Sequence, residues 1–340
     1  MLFSVTEHVA KTGGHTTFYL ACGPADGPLI VFLHGWPELS ISWRHQLPVF
    51  AALGFRAVAP DMRGYGRSSV YPRHEDYALE MVTADMLGLL ERLGCERAVW
   101  VGHDWGSPVV FSLAAHHPER CAAIASLCVP YQPEGFAPVN LVPLVDRVVY
   151  PEDQFPVGQW DYQVFYQENF EAARAAFEAD IGATIRCLFR SGRPDALGKP
   201  ARTARVRRDG GWFGGAGRAP DVPMDSAVLT EADCSAYVAA LERNGFFGPD
   251  AWYMNHTRNI AFAARARDGG RLRLPMLFLH ARYDTVCETM RSRLPEPMRA
   301  ACADLTEAVV PSGHWMAQEQ PVAVNRALIR FLATRLPGDW

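Results

Sequence analysis

At 340 residues with 49% hydrophobic side chains, the chain has enough apolar surface for one large core and room for an insertion. A formal net charge of -4, with acidic and basic residues interspersed, argues against nucleic acid as the main partner, since that affinity rests on neutralising phosphates. The most apolar stretch, Val139 to Tyr150, is interrupted by Pro143, Asp146 and Arg147, so no run reaches the ~18 apolar residues needed to cross a bilayer.

In chain order, Leu2 to Val9 and Thr16 to Cys22 read as two early strands. Leu29 to Leu33, Arg56 to Ala59 and Ala98 to Val101 are short apolar runs of the kind buried in a parallel sheet. Helical spacing separates them, over Ser42 to Leu53 and over Leu79 to Leu93, where Val82, Met86, Leu89, Leu90 and Leu93 share a face. The alternation implies a parallel sheet with right-handed crossovers. It resumes near Leu274 with strands at Met276 to His280 and Ala308 to Val310 and a closing helix from Val322 to Leu336.

Residues 131 to 265 break the pattern. They read as helices and loops, with Phe170, Ala173, Phe177, Ile181 and Leu188 along one face and a Gly-rich stretch, GGWFGGAG, at 210 to 217. The expected organisation is a core of residues 1 to 130 and 266 to 340 carrying a helical cap of 131 to 265. The Gly-rich stretch is expected either to edge a substrate entrance or to be a surface loop. The basic run Arg202 to Arg208 lacks interleaved aromatics and reads as a solvated loop. Eight cysteines stand singly, with no C-x-x-C pair, and are expected to be reduced and mostly buried. The opening MLFSVTEHVAKTGG lacks the features of an export signal, which makes the cytoplasm the expected location.

The sharpest motif is VGHDWGSP, Val101 to Pro108. A strand ends at Gly102 and a helix opens at Gly106, the layout of a nucleophile elbow, G-x-Nu-x-G. Asp104 occupies the projecting position. A carboxylate attacking a saturated carbon leaves an ester, which water can cleave, whereas a serine would leave an ether. The competing role is a helix cap. HGWP, His34 to Pro37, lies one crossover earlier, where the amides of Trp36 and Trp105 can meet over Asp104 as an oxyanion hole. Nucleophile, carboxylate, histidine is the order expected of such a site. Asp284 follows the strand Met276 to His280, and His314 follows Val309 in PSGHW; these are the expected orienting acid and base. His34 and His103 are expected to brace loops, and no zinc-ligand spacing appears among the eleven histidines.

These motifs, with SWRHQLPVF, APDMRGYGRSS, WDYQVFYQE and GPDAWYMN, give nearly the whole chain a sequence that resembles the epoxide hydrolases of the α/β-hydrolase superfamily, above all the hydrolase domain of the soluble mammalian enzymes. The resemblance implies an α/β-hydrolase fold, a mostly parallel sheet flanked by helices under a helical cap. It also implies that Tyr162 and Tyr253 bind the epoxide oxygen, that the substrates are a largely apolar epoxide and water, and that neither cofactor nor metal is required. Ser107 departs from the glycine usual in the mammalian proteins. Tyr166 and Tyr237 are expected to pack with satisfied hydroxyls. Two alternatives stay open: a haloalkane dehalogenase, for which Trp105 also fits but an Asn is usual at Trp36, and a non-catalytic ligand-binding homologue. Monomer and homodimer are both compatible with the sequence.

Overall fold

The computed structural model describes residues 3 to 336. Eight strands form one sheet: β1 (Thr6–Thr12), β2 (His15–Cys22), β3 (Leu29–Leu33), β4 (Arg56–Pro60), β5 (Ala98–His103), β6 (Cys121–Leu127), β7 (Leu272–Ala281) and β8 (Cys302–Val310). Their spatial order is β1-β2-β4-β3-β5-β6-β7-β8, antiparallel from β1 to β4 and parallel from β4 onward. Every residue of β3 and β5 is buried, which is why those strands read as unbroken apolar runs.

Local chemistry accounts for the differences from the sequence reading. The first strand begins at Thr6, and Leu2, placed in it from the sequence, lies outside the described residues. The predicted helix Ser42 to Leu53 is two pieces, a 3-10 turn Ser40–Trp43 and a helix Leu47–Ala52 that restarts with Pro48 in its first turn. β6, CAAIASL, was not anticipated: its small residues have weak strand preference, and it is a strand because β5 and β7 pair with it on both sides. β8 starts six residues before the expected Ala308, at Cys302, over mostly half-exposed positions that carry no buried run.

Between β6 and β7 the described residues contain no strand. Helices Asp161–Glu168, Phe170–Glu178, Ile181–Leu188, Glu231–Asn244 and His256–Ala263 dominate this region. The face expected to run from Phe170 to Leu188 is broken at Asp180, whose carboxylate accepts the Ala183 amide at 2.8 Å and starts a new helix. The Arg202 to Arg208 run is not simply solvated: Arg207 Nε donates to Asp161 at 2.6 Å and so ties this segment to the helix that carries Tyr162. In the Gly-rich stretch, Trp212 packs 5.1 Å from Phe177, 5.9 Å from Tyr162 and 6.3 Å from Trp36, an anchor that neither expectation for the stretch included.

Candidate active site

Four parallel strands deliver the candidate residues to one edge of the sheet. Asp104 follows β5 at φ 48°, a left-handed conformation that is costly for a non-glycine residue and characteristic of a strained turn. The turn closes only with glycine at its sides. A Cβ on Gly106 would lie 2.2 Å from the Leu33 carbonyl oxygen, and one on Gly102 would lie 2.6 Å from that of Gly106. Ser107 is accommodated beneath it, its hydroxyl 2.9 Å from Ser126 Oγ, which in turn donates to the Val129 carbonyl.

The turn after β3 brings the Trp36 amide to Asp104, donating to Oδ1 at 2.7 Å. A Cβ on Gly35 would sit 2.4 Å from that oxygen and 2.6 Å from the Trp105 nitrogen, so the second amide also lies beside the carboxylate. His314, beyond β8, places Nε2 3.5 Å from Asp104 Oδ2 and Nδ1 2.8 Å from Asp284 Oδ2. Asp284, beyond β7, is buried and accepts the amides of Val286 and Cys287 at 2.8 and 3.1 Å.

Burial opposes each of these charges, and their mutual attraction outweighs it. Asp104 is held below the ordinary Asp value by the hydrogen bond and charge of His314, with His103 and the Trp36 amide adding. Asp284 is lowered by the charge of His314 and its hydrogen bond. For His314, burial favours the neutral ring, but Asp284 and Asp104 raise it well above the usual histidine range. The resting arrangement is therefore an imidazolium between two carboxylates.

Tyr162 and Tyr253 stand together above this floor, rings 5.6 Å apart, with Tyr253 edge-on to Trp105 at 5.2 Å and to Trp36 at 6.3 Å. Both are buried, and burial is the main reason that their phenols lie well above the ordinary tyrosine value; Cys287 and Asp104 add for Tyr162, Tyr162 and Asp104 for Tyr253. They are neutral hydrogen-bond donors. Tyr237 has its satisfied hydroxyl, 2.6 Å from Ser42 Oγ. Tyr166 does not match the same expectation: it stacks on Tyr253 at 4.4 Å while its buried hydroxyl, facing Asp250, lacks a well-formed hydrogen bond.

The structure thus brings together all seven residues singled out in the sequence: Asp104, His314, Asp284, Trp36, Trp105, Tyr162 and Tyr253. The sequence reading missed Glu38 and Asp250. Glu38 accepts from His103 Nδ1 at 2.6 Å and from Gln318 at 3.1 Å, while His103 Nε2 reaches the His314 carbonyl at 2.8 Å. His103 thereby bridges Glu38 and the backbone of His314, and it braces the loop bearing His314. His34 braces the other turn, accepting the Met62 amide at 2.9 Å. Asp250 accepts the Trp36 indole N–H at 2.9 Å, and burial raises its carboxyl well above the ordinary Asp value. The glutamate of HGWPE was the one available signal for Glu38.

The family model for the alpha/beta hydrolase fold matches residues 28 to 321. Epoxide hydrolase A of Mycobacterium tuberculosis is 33% identical over 96% of this chain and 97% of its own length. Bifunctional epoxide hydrolase 2 of Sus scrofa is 36% identical over 91% of this chain, which spans about half of that relative (52%). The crystal structure of epoxide hydrolase A from Mycobacterium thermoresistibile superposes with a TM-score of 0.79 at 33% identity, covering 97% of this chain and 98% of that one. The chain belongs to the α/β-hydrolase-fold family and, within it, to the epoxide hydrolases.

Proposed function

We propose that this protein hydrolyses largely apolar epoxides to vicinal diols through an ester on Asp104. The observation that carries the reading is the division of labour at one carboxylate: Oδ1 is engaged by the Trp36 amide, while Oδ2 lies 3.5 Å from His314 Nε2 on a side chain that is 14% exposed. Oδ2 attacks an epoxide carbon, the C–O bond opens, and Tyr162 or Tyr253 gives its proton to the departing oxygen. With ordinary values the transfer from phenol (~10) to an alkoxide (~15.7) is downhill by about 8 kcal/mol. The raised phenols of this site make that figure an upper bound.

Esterification removes the negative charge of Asp104, one of the two anions that keep His314 protonated. The imidazolium then releases its proton, through solvent, to the tyrosinate left by the first step. Neutral His314, oriented by Asp284, takes a proton from water, and the hydroxide adds to the Asp104 carbonyl carbon while the Trp36 and Trp105 amides stabilise the oxyanion. As the intermediate collapses, the diol oxygen takes the proton of the added hydroxyl. The products are diol, Asp104 carboxylate and the original imidazolium, so protons balance over the cycle.

We assign residues 1 to 130 and 266 to 340 to the catalytic core and 131 to 265 to the cap that supplies the tyrosines. A cytoplasmic location is part of the same proposal; among the described residues no helix is long and apolar enough to cross a membrane. Two features weigh against halide chemistry: a halide needs no proton from the tyrosine pair, and the Trp36 indole is committed to Asp250. The test is turnover of a styrene oxide panel with 1-chlorobutane as control. Diol formation without chloride release is expected; chloride release with inert epoxides would replace the reading with dehalogenation, and no turnover of either would remove it.

A further inference from the structure

Two cysteines that the proposed reaction does not use lie against its base. Cys128 follows β6 with φ 61°, and its Sγ is 3.7 Å from His314 Nδ1. Cys287 stands three residues beyond Asp284 and donates its amide to that carboxylate. The two sulfur atoms, an Asp284 oxygen and a His314 ring nitrogen all lie within 4.8 Å of one another. We propose that Cys128, Cys287, Asp284 and His314 form an inhibitory binding site for a thiophilic divalent cation, Zn²⁺ or Cd²⁺.

Two thiolates, an imidazole and a carboxylate are a donor set that zinc takes tetrahedrally, at about 2.3 Å to sulfur and about 2.0–2.2 Å to nitrogen and oxygen. Those lengths set neighbouring ligand atoms roughly 3.3–3.8 Å apart. The sulfur to nitrogen distance of 3.7 Å already has this spacing. The 2.8 Å contact of His314 with Asp284 has to open by about half an ångström, and the widest separations have to close by about 1 Å. The adjustment is local, because residues 282 to 295, which hold both Asp284 and Cys287, contain neither helix nor strand. Each thiol loses its proton to solvent, as does Nδ1, whose hydrogen bond to Asp284 is replaced by bonds from the metal to the ring nitrogen and the carboxylate. Nε2 keeps its hydrogen toward Asp104.

Cys128 and Cys287 are buried, whereas the His314 side chain is 17% exposed. The ion therefore arrives from the substrate side, and inhibition sets in slowly as the 282 to 295 segment yields. Metal binding itself is independent of the role proposed for Asp104. The stage at which turnover stops rests on that role: the metal occupies the base but not the nucleophile, so a zinc-loaded enzyme is alkylated and then stalls.

The test uses the purified full chain kept reduced with a phosphine. Slow-onset inhibition of styrene oxide turnover by Zn²⁺, reversed by a chelator, is expected, with one Cd²⁺ per chain producing a thiolate charge-transfer band in the ultraviolet. Cys128→Ser, Cys287→Ser and the double variant, each compared with its own metal-free rate, should need about 10- to 100-fold more Zn²⁺ for half inhibition, the double variant losing the Cd²⁺ band. Equal zinc sensitivity in parent and double variant, or Cd²⁺ binding without the band, overturns the site. Metal binding with the band, but no covalent adduct on the zinc-loaded enzyme after exposure to epoxide, leaves the site standing and removes the ester on Asp104 instead.

Discussion

Replacing His314 by Gln separates the two halves of the proposed reaction. The hydrolytic half loses its general base, a role typically worth 10²–10⁴-fold, so the ester should accumulate while steady-state turnover falls by about that factor. The alkylation half changes in a different way. At 3.5 Å the imidazolium and the Asp104 carboxylate attract by up to about 5 kcal/mol at an effective dielectric near 20, and this attraction helps hold the Asp104 carboxyl below its ordinary value. Without it, burial acts opposed by His103 and the Trp36 amide alone, and the carboxyl shifts upward. Since only the ionised form attacks, the alkylation rate of His314→Gln should climb with pH through that raised value, where the parent's is flat. Single-turnover mixing with styrene oxide, quenched at intervals and read by intact-protein mass spectrometry, measures both effects. One adduct equal to the substrate mass is expected, and peptide mapping should place it on Asp104. Normal turnover by His314→Gln, or an adduct elsewhere, would refute the two-step scheme.

Single Tyr162→Phe and Tyr253→Phe changes should each lower kcat by roughly 10²-fold, and the double change should nearly abolish alkylation, as quench-flow with the same epoxide will report. Asp284→Asn, which leaves the His314 contact in shape but withdraws its anion, should slow ester hydrolysis by up to about 10⁴-fold while alkylation persists, so it too should build up adduct. Glu38→Ala removes the buried carboxylate partner of His103 and Gln318 and should cost about 3–5 kcal/mol in chemical denaturation. Because burial opposes the Glu38 charge but His103 and its hydrogen bond win and lower the carboxyl, that contribution is complete above the ordinary Glu value of about 4.3 and disappears as pH falls through the lower folded value. A parent and variant with equal denaturation midpoints at neutral pH would contradict this.

What was readable from sequence was whatever depends on near neighbours in the chain. The elbow glycines flank Asp104 within two residues, the fully buried β3 and β5 are continuous apolar runs, and Asp284 and His314 directly follow such runs. β6 escaped because alanine and serine carry little strand signal, and its identity comes from partners on either side. Glu38 escaped for a related reason: His103 is 65 residues away and Gln318 is 280, so their meeting is a product of the sheet order. Cys128 and Cys287 looked isolated because they are isolated in the chain, and it is the adjacency of β6 and β7 that gathers them at His314.

Trp36 is attached at both ends to different parts of the molecule, its backbone N–H to Asp104 in the core and its indole N–H to Asp250 beneath the tyrosines. This joint limits how freely the upper half can be exchanged. If residues 131 to 265 act as the proposed cap, one grafted from a relative whose tyrosine motif lacks an acceptor at position 250 would strand a buried indole N–H and loosen the residue whose amide holds Asp104. Recombining lids to alter substrate scope would then change rate along with selectivity, unless residue 36 or 250 is adapted in the same step.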